Sequence, residues 1–197
     1  MKFKLFGTEI YISFLFFAVI TIMLATDRTG LLVPTFFAIT MHETGHLFAM
    51  WALDCEPKQI KLIPSSIQIT RKFCSGYRND IIIALCGPLT NFVLFLSLYC
   101  NFLAFKNQTV FYYSLLNLII CFFNLLPVKG LDGGTVLFSL LLNRFDLAKA
   151  TLIIRLITFL FALAVIIAAV MLTVKGKINI SLYIIGIYLI IMSIIKM

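Results

Sequence analysis

Six apolar runs dominate the chain, at about Ile10 to Ala25, Leu31 to Leu53, Ile81 to Phe105, Val110 to Leu126, Ala150 to Val174 and Ile178 to Ile195. Each is near or above the roughly 20 residues that cross a bilayer as a helix. Hydrocarbon offers no hydrogen-bond partners, so a run buried in it must pair its own backbone groups, and short links between runs favour helices over a closed barrel. Composition points the same way: 62% of the 197 residues are hydrophobic and 12% are charged, against about a quarter charged in soluble domains. The expected fold is all-α and polytopic in a membrane, with about six transmembrane helices. No repeat or Pro/Gly/Ser-rich linker interrupts the chain, so residues 1–197 read as a single membrane-embedded domain.

The net charge of +8 does not imply a nucleic-acid partner, because the basic residues are spread over links between apolar runs instead of clustering on one polar face. With the N-terminus inside, the cytoplasmic side receives Lys2, Lys4, Lys58, Lys61, Arg71, Lys72, Arg78, Lys129, Arg144, Lys149 and Lys196. The other side receives only Arg28, Lys106, Lys175 and Lys177. The positive-inside bias therefore places both termini in the cytoplasm. Met1-Lys2-Phe3-Lys4 before an apolar run resembles a secretory signal, but the run is long for one and lacks a small-x-small cleavage site, so it is read as the first transmembrane helix. Gln59 to Ile63 and Ser66 to Thr70 alternate in polarity around Pro64-Ser65, which fits a short β-hairpin at the cytoplasmic interface or, equally, an irregular amphipathic loop. The five cysteines form no C-x-x-C pair and read as buried small hydrophobes or thiols.

Chemistry concentrates in His42-Glu43-Thr44-Gly45-His46. On a helix, residues four apart share a face, so both imidazoles can chelate one ion. Glu43 points about 100° around the axis, where it can activate an attacking water without taking a ligand position. The pattern alone is moderately specific. Its setting adds weight, because these are the chain's only two histidines and they lie with Glu43 inside an apolar run, where ionisable groups are expensive and mark function. A metal-free polar network between helices is the alternative.

Catalytic zinc usually takes three protein ligands and keeps a fourth position for water. Most other acids flank the apolar runs, whereas Asp132 lies in Leu131-Asp132-Gly133-Gly134, shortly after Pro127. The second and fourth runs both head for the cytoplasmic side, which brings His46 and Asp132 to similar depth. Spacing alone leaves Asp132 balanced between a third ligand and an ordinary turn or helix N-cap acid ahead of a helical Thr135 to Leu142.

These residues resemble the site-2 protease family of intramembrane zinc metalloproteases, most closely the compact branch exemplified by the stage IV sporulation protein FB. His42-Glu43-Thr44-Gly45-His46 matches the family's H-E-x-G-H; Asn124-Leu125-Leu126-Pro127 and Leu131-Asp132-Gly133-Gly134 match its N-x-x-P and L-D-G-G; Gly87-Pro88-Leu89-Thr90-Asn91 is similar to its G-P-x-x-N. The resemblance covers about residues 31 to 140 and implies a Zn²⁺ site of His42, His46 and Asp132 with Glu43 as general base. It further implies Asn124 as a contact to substrate backbone or oxyanion, and Asn91 as a structural, site-lining or substrate-binding residue. The implied substrate is a membrane-anchored or membrane-associated protein, cut in or near a transmembrane segment, with a regulatory membrane partner or oligomer as a further expectation. The implied location is the bacterial cytoplasmic membrane, multi-pass. Leu62-Ile63-Pro64-Ser65-Ser66 departs from the family's L-P-x-G-G, and with few residues after the sixth run no appended PDZ or CBS domain is expected. Two rivals are a membrane metal-ion transporter, which would need several ligands along a path, and a catalytically silent assembly factor, against which Glu43 stands.

Overall fold

Lys2-Phe3-Lys4-Leu5 alternates polar and apolar side chains at the period of a strand, a pattern the helix expectation for the N-terminus passed over. In the structure, a computed structural model describing residues 2–5, 8–55, 57–63, 66–71, 76–176 and 179–194, Lys2–Leu5 is β1 and Thr8–Ile12 is β2. Helix α1 therefore starts at Phe14 and runs to Thr26, four residues later than expected from Ile10. Strand pairing on both sides of β2 outweighs the helical bias of its apolar residues, an example of tertiary context deciding a short apolar run. The described residues fall into two compact units, Met1–Phe123 and Asn124–Met197.

The first unit continues with α2 (Leu32–Ala52), β3 (Pro57–Ile63), β4 (Ser66–Arg71), α3 (Tyr77–Phe105) and α4 (Gln108–Asn124, whose last residue opens the second unit). The four strands form one sheet in the order β1-β2-β3-β4. The β3/β4 hairpin is present as antiparallel strands with Lys61 opposite Gln68, while the turn expected at Pro64-Ser65 lies outside the described residues. Strands β2 and β3 pair in parallel, Tyr11 opposite Lys61. That pairing requires the intervening chain to return to the end it left, which α1 and α2 achieve by running out and back. Their link is tied by Asp27: Oδ1 accepts from the Thr29 hydroxyl (2.7 Å) and backbone N–H (2.9 Å), and Oδ2 from the N–H of Leu32, the first residue of α2 (3.1 Å). The Thr29 hydroxyl and these backbone donors hold the Asp27 carboxyl below the usual carboxylate range.

Helices α2 and α3 meet through small residues, Ala38, Gly45 and Ala49, all buried on α2. A Cβ on Gly45 would overlap Thr90 Oγ1 and reach within 2.6 Å of the Cys86 carbonyl oxygen, so the two backbones approach as closely as glycine permits. The second unit holds α5 (Asp132–Leu142), α6 (Leu147–Val174) and α7 (Ile180–Ile194). Along α6, Ala150, Ile154, Thr158 and Ala162 recur every four residues as one buried stripe. Ala162 joins Val128 and Leu189 in the unit's apolar core.

Among the described residues two helices, α3 and α6, are long and apolar enough to cross a membrane, with mean hydropathies of 2.2 and 2.8 over their most apolar stretches. Only 28% and 17% of those stretches is buried by protein, which separates them from core helices of a soluble fold and marks a membrane-associated chain. Large apolar side chains are exposed on other helices too, such as Phe14 at 85% and Trp51 at 74%. Cys86, Cys100 and Cys121 are free, in line with the thiol reading, whereas Cys55 is disulfide-bonded and departs from it.

Gly45→Val is expected to lower the thermal midpoint of the detergent-solubilised protein by several degrees, because overpacking a fitted contact costs about 1–3 kcal/mol. An unchanged midpoint in a differential scanning measurement would remove Gly45 from the α2–α3 contact.

Candidate metal centre

One turn of α2 carries His42 and His46, buried at 5% and 8% exposure. Their rings meet edge to face at 83°, and their Nε2 atoms stand 3.1 Å apart. What occupies the other nitrogen of each ring decides what this closeness means. His46 Nδ1 lies 2.7 Å from the backbone oxygen of Ile83, which can only accept, so Nδ1 carries the proton. His42 Nδ1 lies 2.7 Å from Asn91 Oδ1. The Asn91 amide nitrogen donates to the Ala38 carbonyl (3.0 Å) and to Asn117 Oδ1 (3.0 Å), which turns its oxygen toward His42 and makes that Nδ1 a donor as well.

In the neutral form of each ring a proton on Nδ1 leaves Nε2 as the acceptor, so both Nε2 atoms, directed into the same space, can be bridged by a cation. Two bonds of about 2.05 Å at a tetrahedral angle set nitrogens about 3.3 Å apart, close to the separation here, so the donor pair fits zinc. A Cβ on Gly87 would overlap His46 Nε2 and come within 2.9 Å of His42 Nε2. The missing side chain of Gly87 is what leaves room beside both ligand atoms. Pro88, inside α3, lacks the N–H that would close the ladder to Ala84 and so loosens the same stretch of helix from which the Ile83 carbonyl serves His46.

Glu43 follows His42 on α2 and is half-buried. Asn91 is fully buried, with both amide hydrogens given to protein acceptors and its oxygen turned to His42. It stands behind a candidate ligand, as a structural or site-lining residue would. In the second unit, Asp132 is the first residue of α5 and half-buried, and Asn124 is the last residue of α4, also half-buried. Gly133 and Gly134 follow Asp132 for a reason the turn reading did not supply. Neither has positive φ, but a Cβ on Gly133 would meet the Leu125 carbonyl and reach 2.6 Å from the Leu126 oxygen, and one on Gly134 would meet the Val128 carbonyl. The segment before Asp132 lies directly against the first turn of α5. The Lys129 backbone N–H donates to Thr158 Oγ1 at 2.9 Å, fixing that segment to α6, and its residue is 9% exposed, unlike a snorkelling lysine. Burial, and after it the charge of Arg155, lowers its ammonium pKa.

Sequence reasoning missed Asn117, buried at 4% on α4. An asparagine in an otherwise apolar run was the available signal.

Gly87→Ala is expected to weaken zinc binding about 10- to 100-fold in chelator competition, a loss typical of disturbed metal surroundings, while helix content by circular dichroism stays unchanged. Affinity equal to wild type would place the metal elsewhere.

No family model matches the chain. In sequence it is similar to a zinc metalloprotease of Methanocaldococcus jannaschii, 26% identical over 162 residues, in an alignment covering 76% of this chain and 47% of the relative. The chain thus spans about half the length of that curated relative. In structure it is similar to the site-2 protease from Methanocaldococcus jannaschii, with a TM-score of 0.72 and 22% identity over 100% of this chain and 97% of the other. The fold is therefore that of a site-2 protease.

Proposed function

We propose that this chain is an intramembrane zinc metalloendopeptidase of the site-2 protease type, hydrolysing a peptide bond in or near a transmembrane segment of a membrane-associated protein. One observation carries the reading. Two histidine Nε2 atoms stand 3.1 Å apart with both Nδ1 atoms held as donors, beside a glutamate on the same helix. The likeness to a zinc metalloprotease in sequence supports it.

His42 and His46 hold the metal, and Asp132 completes the ligand set. Three protein ligands leave the fourth position for water or substrate. Bound zinc supplies Lewis acidity, polarising a carbonyl and making water more acidic. Glu43 accepts the proton of the attacking water at its carboxylate and returns it to the leaving amine. Asn124 contacts the substrate backbone, and Asn91 acts on His42 instead of on substrate. A helical substrate must unwind before attack, since its carbonyls are hydrogen-bonded and shielded. The outer strand β4 offers an edge on which an extended segment can pair.

The proposed topology takes its six crossings from the six apolar runs of the sequence, which lie on α1, α2, α3, α4, α6 and α7; α5, with 11 residues, about 16 Å of helix, belongs to none of those runs. Six crossings put both termini in the cytoplasm in a multi-pass protein of the cytoplasmic membrane.

Co-reconstituted with single-pass membrane substrates, Glu43→Gln should lower cleavage about 10²- to 10⁴-fold with zinc content unchanged. Asp132→Asn should lower bound zinc in elemental analysis. Equal cleavage by wild type and Glu43→Gln would overturn the mechanism, and zinc flux into liposomes surviving that substitution would point to transport instead.

A further inference from the structure

The hydrogen bonds behind His42 do not end at Asn91. Its Nδ2 donates to Asn117 Oδ1 at 3.0 Å, and Asn117 Nδ2 donates to the Tyr113 carbonyl, one turn back on α4, at 3.0 Å. Every group in this line is buried: His42 at 5%, Asn91 at 0% and Asn117 at 4% exposure. The line also has a direction. It ends on the Tyr113 carbonyl, with the Ala38 carbonyl as a second acceptor on Asn91, and a backbone carbonyl can only accept. A flipped Asn117 would set its oxygen against the Tyr113 oxygen and its NH₂ against the Asn91 NH₂. A flipped Asn91 would set its oxygen against both the Ala38 and Asn117 oxygens. Only one orientation of each amide satisfies all groups, and it leaves Asn91 Oδ1 facing His42 Nδ1.

We infer that Asn117 is a positioning residue for the metal centre: through Asn91 it fixes His42 in the tautomer protonated at Nδ1, whose Nε2 can serve as a ligand. With Asn117 removed, one of the two acceptors holding the Asn91 amide is lost. A rotated amide would then donate to His42 Nδ1 and move the ring proton to Nε2, where it competes with the metal. Outer partners of metal-bound histidines act in this way, orienting the ring and selecting the protonated nitrogen. The inference rests on the His42/His46 zinc site proposed above and does not depend on which peptide is cut.

The test uses the full chain in detergent or nanodiscs and measures zinc affinity by chelator competition, with melting of the metal-free protein as a control. Asn117→Leu keeps similar volume and removes both polar groups. It is expected to weaken zinc binding about 10-fold or more, within the range for lost outer-shell partners. Asn117→Asp restores the relay, because a buried carboxylic acid is protonated and offers a hydroxyl to the Tyr113 carbonyl and a carbonyl oxygen to Asn91. Its affinity should return to within about threefold of wild type, a recovery that a packing role would not predict. Wild-type affinity in Asn117→Leu, or an Asn117→Asp protein as weak as Asn117→Leu, overturns the inference. If Asn117→Leu melts well below wild type, the comparison of Asn117→Asp with wild type decides. A wild-type chain that binds zinc and cleaves nothing would sink the protease reading and leave this comparison intact.

Discussion

Two buried imidazoles held with their Nε2 atoms 3.1 Å apart are the constraint on which the first unit depends. Buried as the rings are, their remaining nitrogens take protein acceptors. Both come from α3, as the Ile83 carbonyl for His46 and the Asn91 amide for His42. For α3 to reach α2 so closely, side chains along the contact have to disappear, and Gly45 and Gly87 are where they do. Pro88 loosens the same stretch of α3. The G-P-x-x-N stretch therefore shapes the surroundings of the histidine pair, contributing space at Gly87 and proton placement through Asn91.

A related economy of space appears in the second unit. Gly133 and Gly134 sit at ordinary helical backbone angles, and their lack of a Cβ lets the carbonyls of Leu125, Leu126 and Val128 lie against the start of α5. The Thr158 hydroxyl takes the Lys129 N–H and itself donates back to the Ile154 carbonyl on α6, anchoring that segment to a buried helix face. Asp132 thus begins a helix whose approach is set by backbone packing as much as by turn chemistry.

Much of this was legible in the residues. The six apolar runs became α1, α2, α3, α4, α6 and α7 within a few residues, although Ile178 and Ile195, the bounds of the last, lie outside the described residues. Thr135 to Leu142 proved helical, with α5 starting three residues earlier at Asp132. The N-terminal strands escaped because Thr8–Ile12 is too short and apolar to separate a strand from the start of a helix by pattern, and what settles it is β3, some fifty residues away in sequence. Asn117 escaped because a lone amide on an apolar helix has no local signature of its partner.

The sequence by itself determined that the chain is built to lie against lipid and that His42, Glu43 and His46 share one turn of an apolar helix, with both histidines on one face. Those conclusions need only composition and helical periodicity, which are local properties. Only the tertiary structure decided which nitrogen of each histidine carries the proton, why Gly87 must be glycine, and that Asn91 and Asn117 stand in line behind His42. Those depend on acceptors supplied by helices 26 to 49 residues distant along the chain, and the direction of a hydrogen bond exists only once both of its ends are in place.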